Sequence, residues 1–214
     1  MSNLSNKKLL VFASGTKDGG GSGFKCLIEA TKSGVLKADI AGVVSNHENG
    51  GVRKIAEGYG VPFEHFEGPF TRENYQGIVK KFNADFVALS GWLKLASGLD
   101  PKTTINIHPG PLPEFGGAGM YGIHVQEAVL ESYKNGKTRA AGLTMHFVTE
   151  KYDEGPVIFR CSVPILDGDT PEILAKRVNE AEHKWQPIVT NKVVTGEISW
   201  DGKDKSSLKG YMEC

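Results

Sequence analysis

The strongest constraint on the fold is an alternation that begins at once. A compact apolar run, Lys8 to Ala13 (KLLVFA), breaks at a glycine-rich stretch, Ser14-Gly15-Thr16-Lys17-Asp18-Gly19-Gly20-Gly21-Ser22-Gly23, and a segment of helical spacing follows from Phe24 to Lys32. An uninterrupted apolar run of that length suits a strand buried on both faces. Phe24, Leu27 and Ile28 share one face of the following helix. The order repeats. Ala38 to Ser45 is a second strand and Val52 to Tyr59 a helix, then Val61 to Phe66 a strand and Thr71 to Phe82 a helix capped by Thr71. Asp85 to Ser90 is the fourth strand, and Thr103 to His108 holds the fifth. Strands and helices at this period make βαβ units, so the first 108 residues predict a mostly parallel, doubly wound α/β sheet with helices on both faces.

The remainder changes character. Gly122 to Tyr133 is an amphipathic helix, and Ala140 to Val148 alternates as a half-buried strand should. A short turn, Lys151 to Pro156, leads to Val157 to Val163, and so brief a link makes the two strands antiparallel. Thr170 caps a helix that starts at Pro171 and runs to about Val189. Glu197 to Trp200 reads as an edge strand. No linker or repeat divides the chain, which predicts a single domain over 1–214, with 1–108 as a phosphate- or nucleotide-binding half and 109–214 as the half that completes it.

Composition narrows the classes of function. Lysine plus arginine equals aspartate plus glutamate, 25 each among 214 residues, so net charge gives no case for a nucleic-acid or membrane partner. Cys26, Cys161 and Cys214 are widely spaced, with no CxxC or Cys/His cluster; no metal is expected, and reduced thiols in a cytoplasmic enzyme are the simplest account. Met1 to Lys8 is polar, without an apolar core of signal-peptide length, and no 18-residue apolar run occurs, so an intracellular soluble protein is expected. Monomer and homodimer stay equally open.

Chemistry concentrates at Asn106-Ile107-His108-Pro109-Gly110-Pro111-Leu112-Pro113. Asn106 and His108 are two apart in extended chain and share a face. The prolines and glycine behind them end the strand on a stiff loop. Carboxyl ends of strands are where open α/β sheets bind ligands. An amide that donates beside an imidazole that titrates near neutrality suits acyl-type transfer. Asp153, in a tight turn ahead of Gly155-Pro156, is the natural carboxylate partner. The early glycine stretch, ending on a helix N-terminus, forms a phosphate cradle without being a Walker A loop.

These pieces carry a resemblance. Ser14-Gly15 with Gly21-Ser22, Val44-Ser45-Asn46, Ser90-Gly91-Trp92-Leu93-Lys94-Leu95, Asn106-Ile107-His108-Pro109, Met145-His146-Phe147-Val148, Asp153-Glu154-Gly155-Pro156-Val157-Ile158 and Arg177-Val178 with Glu182-His183 stand in order from residue 9 to about 190. In them the chain resembles the folate-dependent formyltransferases, and among these the phosphoribosylglycinamide formyltransferases. The resemblance implies formyl transfer from 10-formyltetrahydrofolate, as co-substrate, to the amine of glycinamide ribonucleotide. It implies that Asn106 and a protonated His108 stabilise the formyl oxyanion while Asp153 orients His108 or a water and helps move the proton. It further implies phosphate binding at Gly15, Thr16, Gly21, Ser22 and Gly23, ribose binding at Glu182, and folate contacts from Arg72, Leu93, Lys94, Leu95, Asn106, Val148, Thr149 and Asp153. His124 and His146 lie in the matched region and read as structural.

Two departures from the family pattern stand out. Lys17-Asp18-Gly19-Gly20 is an insertion in the glycine loop, where Gly23 replaces an asparagine, which leaves open which amides grip the phosphate. Glu114 to Gly122 is longer and richer in glycine than the family pattern, and is expected to fold over substrate. A formyltransferase acting on another sugar-linked amine, such as a nucleotide sugar, and a non-catalytic folate- or nucleotide-binding module are the alternative readings.

Overall fold

The computed structural model describes residues 6–214; Met1 to Ser5, most of the polar start, fall outside the described residues. The elements are β1 (Lys7–Phe12), α1 (Ser22–Lys32), β2 (Ala38–Ser45), α2 (Gly51–Tyr59), β3 (Phe63–His65), α3 (Arg72–Lys81), β4 (Phe86–Ser90), β5 (Thr104–His108), α4 (Ile123–Lys134), β6 (Ala141–Phe147), β7 (Val157–Val163), α5 (Pro171–Val194), a short 3-10 turn (Lys205–Ser207) and β8 (Met212–Glu213). They form one eight-stranded sheet of order β3-β2-β1-β4-β5-β6-β7-β8. From β3 through β5 every pairing is parallel; β6 is antiparallel to both β5 and β7, and β8 returns parallel to β7. The expected class, a doubly wound α/β sheet with an antiparallel C-terminal portion, is the one observed.

Alternate side chains of β1 explain why the sheet is covered twice. Leu9, Val11 and Ala13 join one core, with apolar residues of α1, α2, α4 and α5. Leu10 and Phe12 join a second core on the other face, where Tyr75 of α3 packs with Phe66 and Trp92. Phe12, Tyr75 and Trp92 make tilted or edge-on aromatic contacts at 5.3–6.5 Å, and the Trp92 indole N–H donates to Tyr75 Oη at 2.9 Å. Two caps match expectation: the Thr71 hydroxyl accepts from Asn74 N–H, and Thr170 accepts from Ile173 N–H.

The sheet switches direction at β1, whose neighbours β2 and β4 lead to opposite edges. Such a switch opens a crevice beyond the strand ends. Here the loops leaving β1 and β4 are tied across it: Ser14 N–H donates to the Gly91 carbonyl, and Leu93 N–H donates to Ser14 Oγ, both at 3.0 Å.

Three expectations need correction. β6 is buried at all seven positions rather than half-exposed. Its polar face meets protein, not water: the Thr144 hydroxyl donates to the Gly110 carbonyl at 2.8 Å and accepts from Leu112 N–H. Glu197 to Trp200 contributes only an isolated bridge, Ser199 with Lys209, while the outer strand is Met212–Glu213, beyond it in sequence. Cys161 and Cys214 are not free thiols. They form a disulfide across β7 and the chain end, with Cα atoms 5.0 Å apart. Extending β8 along β7 carries residue 214 alongside residue 161, a juxtaposition their separation of 53 residues hides. Cys26 remains free. Among the described residues no helix is long and apolar enough to cross a membrane.

Candidate active site

A cleft of about 720 Å³ lies at the switch point. That volume is in the range of small-molecule sites. Its floor is the carboxyl end of β5. Asn106 pairs with His146 in the antiparallel register of β5 and β6, and His108 with Thr144. The strand geometry that puts Asn106 and His108 on one face therefore puts His146 beside them.

Asp153 completes the cluster from the β6–β7 turn. Its backbone takes the left-handed conformation, φ 54°, which aspartate tolerates better than most side chains. Oδ2 accepts from Gly117 N–H at 2.9 Å and lies 3.7 Å from His108 Nδ1. Oδ1 lies 3.4 Å from Asn106 Nδ2 and 3.3 Å from His146 Nε2, and Asn106 Nδ2 is 3.1 Å from that same nitrogen. The sequence-predicted trio is thus brought together, with His146 as a fourth member. His146 Nδ1 donates to the Phe147 carbonyl at 2.8 Å, which fixes its ring.

Electrostatics set the protonation states. Burial pushes the Asp153 carboxyl up, but the His146 imidazole, the His108 ring and the Gly117 N–H together outweigh it, and the carboxyl is held below its ordinary value. It is a carboxylate at neutral pH. For His108, burial pushes the imidazole below its ordinary value and exceeds the opposing pull of Asp153 and the Phe115 carbonyl. The resting imidazolium expected from sequence is therefore disfavoured. His108 Nε2 donates to the Phe115 carbonyl at 2.7 Å, so in the neutral ring Nδ1, on the Asp153 side, keeps its lone pair.

The end of the cleft beside the glycine loop forms at the start of α1. Gly21, in the left-handed region at φ 85°, turns the chain into the helix without a side-chain cap, and its carbonyl accepts from Lys25 N–H. The first-turn amides of Ser22 and Gly23 therefore have no helical acceptor, and no acidic residue occupies that turn. With the helix dipole behind them, such free amides can hold an anion. Thr16 differs. Its N–H donates to the Gly19 carbonyl and its hydroxyl accepts from Gly19 N–H, so both groups are engaged within the loop by the inserted residues. Lys17 lies away from the cleft, bordering a small hollow with Asn46 and His47.

Gly15, Thr16, Gly21, Ser22, Gly23, Leu93, Lys94, Leu95, Val148, Thr149 and Glu182 all line the cleft. Burial pushes the Glu182 carboxyl up to about 7, against the hydrogen bond that Asn179 Nδ2 donates at 3.1 Å. Arg72 does not line it. Its guanidinium pairs with Glu150 at 2.9 Å. His124 is exposed and pairs with Glu127. Gly117 to Gly122 does border the opening.

The model of the family described as formyl transferase matches residues 7–190. The chain belongs to the formyl transferase family. Among individual members, this formyl transferase is 39% identical to the chloroplastic phosphoribosylglycinamide formyltransferase of Arabidopsis thaliana, over 91% of its own length and 68% of the relative's. It is 31% identical to the phosphoribosylglycinamide formyltransferase of Bacillus subtilis, over 88% of its own length and 95% of that enzyme's. The crystal structure of glycinamide ribonucleotide transformylase 1 from Symbiobacterium toebii superimposes with a TM-score of 0.81 at 25% identity, covering 97% of this chain and 95% of that one.

Proposed function

We infer that the protein transfers the formyl group of 10-formyltetrahydrofolate to the primary amine of glycinamide ribonucleotide, a step of purine biosynthesis. The carrying observation is the Asn106–His108–His146–Asp153 cluster, set in one cleft with the uncapped α1 N-terminus. The relatives' names support the ribonucleotide as acceptor, and the geometry of the cluster supports the roles that follow.

Asn106 stabilises the formyl oxygen. One N–H of its amide is held by Asp153 Oδ1 at 3.4 Å, and the second is free for the oxygen as it gains charge. His108, neutral at rest, takes the proton of the attacking amine on Nδ1 and returns it to the folate nitrogen as the carbon–nitrogen bond of the donor breaks. Asp153 stabilises the imidazolium that forms between these steps. The α1 N-terminus holds the substrate phosphate, Glu182 the ribose hydroxyls, and Leu93, Leu95 and Val148 the apolar sides of the pterin. Arg72 reaches a folate glutamate tail only by leaving Glu150. The partners this reading requires are small molecules.

A spectrophotometric assay following deformylated folate tests it. Turnover is expected with glycinamide ribonucleotide and not with amino sugar nucleotides. Formate release without any amine would identify a hydrolase instead, and folate binding without turnover would identify a binding module.

A further inference from the structure

Gln186 lies in α5, is 2% exposed and lines the cleft. One end of its carboxamide is committed inside the protein, where Ser90 Oγ donates to Oε1 at 3.2 Å. The other end is open. Among the described residues Nε2 makes no hydrogen bond, and it is not one of the side-chain atoms sealed from solvent without a partner, so its remaining exposure is to the cleft that Gln186 lines. An amide NH2 carries two donors, and native proteins rarely keep a nearly buried donor that no ligand or water satisfies.

The open NH2 stands at the start of α1. A methyl group built on Gly23 would come within 3.0 Å of Gln186 Oε1. The two ends of a carboxamide are about 2.2 Å apart, so Nε2 lies within about 5 Å of that point. The first-turn amides of Ser22 and Gly23 are the other unpaired donors there. Gly23, where the family pattern has an asparagine, brings no side-chain donor of its own. Glu182 lies one turn before Gln186 on α5, about 6 Å along the helix axis, and lines the same cleft. That step is comparable to the one between a ribose ring and its 5′-phosphate.

We propose that Gln186 is a phosphate-binding residue, its Nε2 donating to one phosphate oxygen of the substrate while the Ser22 and Gly23 amides hold the others. This inference rests on the proposed ribonucleotide substrate and adds to it the side chain that reads its phosphate. A neutral donor suits so closed a position. A lysine or arginine there would give up its hydration whenever the cleft is empty, whereas an amide costs far less to bury. Ser90 is the positioning residue: by holding Oε1 it turns the NH2 end toward the cleft.

The test compares glycinamide ribonucleotide with its dephosphorylated ribonucleoside by calorimetric titration of wild type and Gln186→Met. Loss of the donor should cut the affinity advantage that the phosphate confers by about tenfold. Affinity for the ribonucleoside, and for a non-transferable 10-formyl folate analogue, should stay within about twofold. A merely structural Gln186 would weaken both ribosyl ligands alike and leave the phosphate advantage intact. An advantage that survives in Gln186→Met, or none in the wild type, overturns the proposal while the transferase reading stands. A wild type that neither binds nor formylates the ribonucleotide removes that reading and the proposal with it. If Gln186→Met does not fold, Gln186→Glu decides, because it keeps the shape and the acceptor for Ser90 but puts an oxygen where the NH2 was. Its phosphate advantage should fall by about 100-fold, and an unchanged advantage overturns the proposal.

Discussion

His108 sets how the rate should depend on pH. Its imidazole is pushed down by burial, and its Nε2–H is committed to Phe115. With His108 as the proton acceptor proposed above, the competent form is the neutral ring, and activity should be lost as pH falls through a pKa below the ordinary 6.5 of histidine. The acid limb of the kcat profile should therefore lie below that value. Asp153 pulls the His108 pKa upward, so Asp153→Asn should move the limb to still lower pH while reducing kcat by about 100- to 1000-fold through loss of imidazolium stabilisation. His108→Ala should lose at least as much and abolish the limb. A pH–rate series on the three proteins checks both signs. At this scale the sequence was partly legible. Asn106 and His108 announce themselves because a strand fixes residues two apart on one face. His146 does not, because its place opposite Asn106 depends on an antiparallel register that no local pattern encodes. Gln186 is similarly silent, since an amide in a long helix reveals neither its burial nor its unpaired nitrogen.

At the scale of elements, α1 links fold to site. Its start packs so closely on the β4 loop that a methyl group on Gly23 would collide with the Ser90 hydroxyl and crowd Gln186 Oε1. Ser90 Oγ donates to Gln186 Oε1 at 3.2 Å, so this small buried network ties α1, β4 and α5 together. Gly23→Ala should move the first-turn amides off the phosphate position proposed for them. We expect the ribonucleotide KM to rise by about tenfold with folate KM nearly unchanged, and stability to fall by about 1–3 kcal/mol from overpacking, more than the gain in helix propensity returns. Steady-state kinetics with each substrate varied, together with urea unfolding, separates the two effects. An equal rise in both KM values would show that Gly23 serves the cleft as a whole and not its phosphate end. The parallel elements were legible in sequence because strands covered on both faces need continuous apolar runs, and the buried stretches of β1 and β4 and the second half of β2 are close to such runs. β6 misleads for the complementary reason: period-2 alternation separates apolar from polar, and the polar side of β6 faces the loop behind His108 and the site cluster.

For the whole molecule, the C-terminal segment closes the sheet. After α5, the Trp200 ring packs 5.7 Å from Phe147, and its indole N–H donates to the Asp204 carbonyl at 2.8 Å. The chain then returns to pair β8 with β7 through only two residues. So short a strand holds little by itself, and the bond between Cys161 and Cys214 fastens it. Cross-linking residues 53 apart restricts the unfolded chain, an effect commonly worth about 2–4 kcal/mol. Cys214→Ser should therefore lower the thermal midpoint by about 5–15 °C relative to oxidised wild type. Reduced wild type should match the variant, because reduction and substitution remove the same constraint. Since β8 contributes no residue to the cleft, kcat at 25 °C should stay within about twofold in all three states. Scanning calorimetry with and without dithiothreitol, paired with a thiol count, decides the matter. Two free thiols in the unreduced protein beyond Cys26, or a midpoint indifferent to reductant, would mean that packing around Trp200 and Met212 holds the tail without the covalent bond.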